Sequence, residues 1–350
     1  MTPTLDDVLG AHLVIVTGKG GVGKTTVAAS MALVGVASGR RTLLVEVEGR
    51  QGIARALGTA PLVYEERELR PGLSAAAIDP TDAVLEYLEL FYGLGRMQRV
   101  MERSSALEFV TTAAPGLRDL LLVGKLYELE TRRRPDGRRV HDLIVVDAPP
   151  TGRIVPFLSA PSAVTEIVRV GPIRRQAAQI EELLTDPARA RAVMVTLLEE
   201  LPVTEALEGR AALDAAGIAV APIVANRVEH ARLDAVALAT LERLGPDGLA
   251  ERAGGAGAPL SASLARLALD LARDQHERAD LEAALLDQLH AASGPVVRLP
   301  LLATATLGAD ELDLLAHLLD RTLGSAATPP PHGIDAADLS HLLTSIGRAG

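Results

Sequence analysis

The densest chemical signal in the sequence is the run Gly18-Lys19-Gly20-Gly21-Val22-Gly23-Lys24-Thr25-Thr26, which satisfies the spacing G-x-x-x-x-G-K-[ST]. Glycines at these positions let successive backbone N–H groups turn inward around phosphate oxygens, and a helix opening at the loop adds partial positive charge there. Lys24 has the reach to contact the β- and γ-phosphates of ATP, and the Thr25 hydroxyl is placed to ligate Mg2+. The loop needs a strand before it and a helix after it. The apolar, β-branched stretch from His12 to Thr17 and the apolar stretch from Lys24 to Ser38, closed by Gly39, supply both.

Three carboxylates are candidates to complete the site. Thr42 to Val47 reads as a second buried strand, which makes a βαβ unit and hence a parallel sheet. Ligands of such sheets bind beyond the carboxyl ends of the strands, where Glu46 and Glu48 stand two residues apart and therefore on one face. One would serve Mg2+ through water and the other would orient the attacking water. Asp142 to Val146 reads as another buried strand that delivers Asp147 to the same edge as a metal or metal-water ligand, and Ala148-Pro149-Pro150-Thr151-Gly152 behind it reads as a switch loop.

The rest of the chain supports this core. Strands are expected over Ser74–Ile78, Ala192–Leu197, Val220–Ala225 and Val296–Leu299, with helices over most of 81–134 and 154–185, over Leu264–Ala292 and over Ala309–Leu323. Ala253–Ala258 reads as a flexible loop, and Asp335–Ile346 as a short helix in a Pro-rich tail. The expected division is a single ATPase domain, 1–323, with core segments 12–80, 140–153 and 192–323, a helical subdomain of about 81–134 and 154–190, and a flexible tail, 324–350. The fold class is α/β: a doubly wound, mostly parallel sheet with an inserted helical subdomain. In 350 residues the net charge is −10, which disfavours nucleic acid as a partner. The absence of cysteine excludes disulfides and thiolate metal sites, so no zinc is expected. Met1 to Gly10 lacks the basic start of a signal peptide, and a cytoplasmic location is expected, with peripheral membrane association left open. The basic turn Arg132–Arg139 reads as a solvated loop, with contact to an acidic partner or lipid headgroups as the alternative.

Lys19, directly after the first glycine in G-K-G-G-x-G-K-T-T, resembles the signature lysine of the deviant Walker A ATPases, which include plasmid-partition, septum-placement, nitrogenase-iron-protein and arsenical-pump families. Asp147-Ala148-Pro149-Pro150-Thr151-Gly152 resembles the switch II segment of the arsenical-pump and tail-anchored-protein-targeting ATPases. Ile78-Asp79-Pro80, Pro115-Gly116-Leu117, Phe157-Leu158 and Leu184-Thr185-Asp186-Pro187 follow in that family's order, so the likeness runs from about Leu13 to Leu323. Val45 to Gly52 is most similar to an actinobacterial branch of anion-transporting ATPases. The resemblance implies that Lys19 crosses a dimer interface to the partner's nucleotide, that Asn226 contacts adenine, and that Pro300 and Leu301 belong to an adenine loop. It implies a homodimer, or a heterodimer with a paralogue, and a hydrophobic client or membrane-protein partner. A positioning ATPase and the energising subunit of an exporter are the alternative roles. The chain also departs from the family: Arg153 replaces a histidine, glutamates replace aspartates at 46 and 48, and the thiolates that gather arsenite or zinc are missing.

Overall fold

The apolar runs assemble into one eight-stranded sheet in a computed structural model that describes residues 4–47, 49–92, 115–229, 233–302, 304 and 307–324. The strands are β1 (Leu13–Gly18), β2 (Thr42–Val47), β3 (Arg67–Arg70), β4 (Leu73–Ile78), β5 (Leu143–Asp147), β6 (Ala190–Thr196), β7 (Ile223–Val228) and β8 (Val296–Pro300), in the order β3-β4-β2-β5-β1-β6-β7-β8. β1 lies between β5 and β6, and β2 between β4 and β5, all parallel. Every residue of β1, β2 and β5 is buried, because a parallel sheet is covered on both faces and its strands need no polar alternation. β3 is the exception. It pairs antiparallel on β4 at the sheet edge, and its polar Arg67-Glu68-Leu69-Arg70 composition left no strand signal in the sequence.

Helix α1 (Leu5–Leu9) opens with a capping box between Thr4 and Asp7. Helix α2 (Lys24–Ala37) is apolar on nearly all sides, because β1, β2 and β5 pack against it on one side and α11 (Ala309–Gly324) on the other. Its Gly35 permits the close approach, since a Cβ there would meet the Leu143 Cδ2 at 2.5 Å. A short α3 (Gly52–Ala56) follows β2. The helical layer contains α4 (Pro80–Tyr92), α5 (Pro115–Thr131), α6 (Thr151–Ile167) and α7 (Pro172–Thr185), and α8 (Glu200–Ala215) connects β6 to β7. Pro115 begins α5, where proline at the first turn has no helix bond to lose. The parts of the expected helical reading that fall on 93–114 and on the Asp335–Ile346 tail lie outside the residues described.

Two compact units emerge from the packing. One runs to Arg227 and resumes at Leu289, and holds the sheet and α1–α8 with α11. The other is 228–288, comprising α9 (Ala235–Gly255) and most of α10 (Ala262–Ser293). The expected core segment 192–323 therefore spans both. Helix α9 gave no helical signal in the sequence, for Gly245 and Pro246 interrupt it with a non-helical backbone at Gly245. It continues to Gly255, so the expected flexible loop begins later than the sequence suggests. In the basic turn residues 133–138 are exposed, as expected of a solvated loop, while at its ends Arg132 pairs with Glu128 and Glu66, and Arg139 with the fully buried Glu130.

Candidate functional site

Gly18, which ends β1, lies against the neighbouring strand so closely that a Cβ would sit 2.1 Å from the Val195 carbonyl oxygen. Gly21 and Gly23 have φ of 87° and 90°, a left-handed backbone that glycine alone adopts without strain. Gly23 is also the N-cap of α2 and offers no side-chain cap, so the helix's first N–H groups remain for a ligand. Lys24 points back into the loop, its Nζ donating to the Lys19 carbonyl at 3.0 Å. Burial pushes its ammonium below the ordinary lysine pKa, and the Asp147 charge opposes that push. Gly18, Gly20, Gly21, Val22 and Gly23 thus frame one concave turn, with Lys24, Thr25 and Thr26 on the first turn of the helix behind it.

The register of the sheet brings the two acidic strand ends together. Glu46 and Asp147 are direct partners across β2 and β5, so their side chains share a face. Thr25 Oγ1 donates to Asp147 Oδ2 at 2.5 Å. Glu46 Oε2 accepts from the Ile53 backbone N–H at 2.9 Å and so fastens α3 behind the site, while Oε1 is buried with no partner. The Asp147 carboxyl is raised to about 6, first by burial and further by the charge of Glu46, against the lowering effect of the Thr25 bond. Two sealed carboxylates with an orphaned oxygen, beside a hydroxyl, form a hard-oxygen set that calls for a cation. Among the described residues no three His, Cys, Asp or Glu side chains gather as a metal site. Mg2+ suits the smaller set, because it keeps waters and takes its remaining ligands from phosphate oxygens.

The other expected residues fall as follows. Glu48 lies outside the described residues. Asn226, in β7 and 4% exposed, donates from Nδ2 to the Val22 carbonyl at 2.9 Å and so braces the phosphate loop directly. A Cβ on Gly23 would meet that Nδ2 at 2.4 Å, which gives the glycine a second constraint. Pro300 ends β8 and Leu301, beyond it, is 40% exposed. Thr17 Oγ1 donates to the Pro149 carbonyl at 2.7 Å, tying the segment after Asp147 to β1. Lys19 Nζ is held 2.7 Å from Glu205 Oε1 on α8, and Arg153, in the histidine position, lies 3.4 Å from Asp119 on α5. Sequence reasoning missed Glu205, Asp119 and Gln51. Gln51 stands out only by its backbone: it has φ of 58°, and its amide bonds Leu62 through both N–H and C=O. Glu205 and Asp119 reach the site from distant helices and carry no local signal.

Comparison with known proteins agrees with this geometry. The profile described as anion-transporting ATPase matches residues 11–178, which include the phosphate loop, Glu46 and Asp147. ATPase BagA of Mycobacterium tuberculosis (strain ATCC 25618 / H37Rv) is 47% identical over 230 residues, covering 64% of this chain and 67% of that protein. An arsenical pump-driving ATPase of Escherichia coli is 29% identical over 249 residues, 65% of this chain but 42% of its own length. ATPase ASNA1 homolog 2 of Paramecium tetraurelia is 28% identical over 169 residues, 46% of this chain and 49% of its own.

Proposed function

This chain belongs to the anion-transporting ATPase family and is an ATP-binding P-loop ATPase, and from that premise we propose that it works as a magnesium-dependent dimeric switch. The loop from Gly18 to Thr26 holds the phosphates, with Lys24 on the β- and γ-groups. Thr25, Asp147 and Glu46 would hold Mg2+, which would supply neutralisation of phosphate charge. Asn226 and the Pro300–Leu301 segment take the adenine side. A water oriented near Glu48 bonds to the γ-phosphorus. The bond to the β,γ-bridging oxygen breaks, ADP leaves with that oxygen, and the water's proton passes to the released phosphate. Lys19 reaches the nucleotide of a partner subunit, either a second copy or a paralogue, and stabilises charge on the transferring group.

The observation that carries this reading is the meeting of an uncapped helix start, Thr25 and the paired carboxylates Glu46 and Asp147 at one sheet edge. Nucleotide state is coupled to the helical layer through α6, which begins at Thr151 directly after the Asp147 segment. At its far end, Ile167 and Val170 are 81% and 83% exposed, and Ile173 beyond them is 47% exposed. These apolar side chains suit an apolar client segment. By contrast Leu120, Leu122 and Leu126 of α5 are buried as core. Among the described residues no helix is long and apolar enough to cross a membrane.

The test is the ATPase rate per protomer against protein concentration for wild type and Lys19→Ala, with mass measured in ADP and in a non-hydrolysable ATP analogue. The rate is expected to rise with concentration, the mass to double in the analogue, and Lys19→Ala to slow turnover by about 100-fold or more while still binding ATP. Wild-type turnover in Lys19→Ala, with no nucleotide-dependent change in mass, would overturn the reading.

A further inference from the structure

Lys19 is already engaged on its own chain. Its Nζ lies 2.7 Å from Glu205 Oε1, in a pair whose side chains are 28% and 33% exposed. The second oxygen of the same carboxylate accepts from Thr151 Oγ1 at 3.4 Å. Thr151 is the first residue of α6 and follows Asp147-Ala148-Pro149-Pro150, so one carboxylate touches both the lysine of the phosphate loop and the segment that leaves the metal-side aspartate. The backbone makes this placement firm. Glu205 and Gly209 are four apart on α8 and therefore neighbours on its surface. Gly209 lets α8 approach closely: a Cβ there would lie 3.0 Å from Met194 Cε and 3.4 Å from Thr151 Cγ2. Pro202, Val203, Ala206 and Leu213 bury the inner face of the helix and fix its rotation.

We propose that Glu205 is a positioning residue that keeps Lys19 on its own chain until the segment carrying Thr151 moves. Release of Lys19 toward the partner's nucleotide is then tied to the nucleotide-dependent state of that segment. This rests on the reading of Lys19 as acting across the dimer. A lysine seated on α8 cannot at the same time extend over an interface, so the bond to Glu205 competes with assembly. Partly exposed pairs are weak, equivalent to about two- to fivefold in an equilibrium constant, which makes this hold reversible. Its effect falls on the protein concentration needed for assembly, while on its own chain the phosphates are taken by the loop backbone and Lys24 rather than by the Lys19 side chain that Glu205 engages.

The experiment measures the protein concentration of half-assembly, by sedimentation in a non-hydrolysable ATP analogue, and the ATP concentration giving half the maximal rate at saturating protein. Glu205→Gln is nearly isosteric and is expected to lower the first by about two- to fivefold and leave the second unchanged. Glu205→Asp, which keeps the charge but shortens the reach, is expected to fall between it and wild type. Thr151→Val is expected to shift assembly in the same direction by less, and carries the test if the Glu205 variants fail to fold. In a Lys19→Ala background Glu205→Gln is expected to move neither quantity. Half-assembly at or above the wild-type concentration in Glu205→Gln, or the same shift with and without Lys19, would overturn the proposal. Normal turnover in Lys19→Ala sinks the trans-acting reading itself, whereas a slow Lys19→Ala with an unchanged Glu205→Gln removes only the role of Glu205.

Discussion

Glu130 and Asp147 are two carboxylates sealed to a similar degree, 2% and 9% exposed, and their environments have driven them in opposite directions. Burial pushes Glu130 up, but Arg189 and Arg139 bond both of its oxygens and hold it below the ordinary glutamate value. Asp147 suffers the same burial and has the Glu46 charge beside it, and the Thr25 hydrogen bond with the charges of Lys24 and Arg50 offsets only part of this, so it ends at about 6. A buried carboxylate with cations in place is part of the architecture. One that stays raised despite the positive charge of Lys24 and Arg50 near it keeps an unfavourable charge that an incoming ion would relieve, as expected of a binding site rather than a structural ion cluster.

The sharpest way to break this comparison is Asp147→Asn. Removing the charge from the raised carboxylate is expected to lower ATPase turnover by about 1000-fold, equivalent to roughly 4 kcal/mol, while the nucleotide-free protein keeps or gains thermal stability. A steady-state assay paired with melting curves checks both halves. A variant that loses stability as well as activity would place Asp147 with Glu130 as a structural group.

The next effect is in pH. Because the folded Asp147 carboxyl sits above its unfolded value, the folded state holds the extra proton between about pH 4 and pH 6. Its contribution to stability therefore falls as pH rises through that window, by up to about 3 kcal/mol, and is level above it. The difference between wild-type and Asp147→Asn unfolding free energies, measured without nucleotide or divalent metal, isolates this trend from other carboxylates. Saturating Mg-ATP is expected to reverse it, since ligation needs the ionised form.

The smallest effect is expected at the satisfied site. Glu130→Gln leaves Arg139 and Arg189, both about a quarter exposed, without their shared anion. It is expected to cost roughly 2 kcal/mol in denaturant unfolding, with turnover per folded protein close to wild type. Its pH trend has the opposite sign to that of Asp147, for a lowered carboxyl contributes stability above its unfolded pKa that is lost as acid protonates it. Turnover that falls with stability would erase the distinction between the two sites.

What was legible in the sequence was local. The phosphate loop could be read because its glycines, lysine and threonine are contiguous and their roles depend on backbone geometry within one turn. β1, β2 and β5 could be read because strands buried on both faces are uninterrupted apolar runs. Elements without that periodicity escaped: β3 is polar at the sheet edge, α3 is five residues long and fastened through Glu46, and α9 is broken at Gly245 and Pro246.

The sequence by itself determined the chemistry on offer: a turn that accepts phosphate, a hydroxyl and carboxylates at strand ends, a second lysine in the loop, and no thiol. Only the tertiary structure decided how those groups divide their work. Strand register set Glu46 against Asp147, helix packing carried Glu205 to Lys19 across 186 residues of chain, and Asn226 came to rest under Val22. The reason is physical: a side chain's type fixes what it can bond, but burial and the charges brought near it from distant segments fix whether it is satisfied, shifted or left waiting for a ligand.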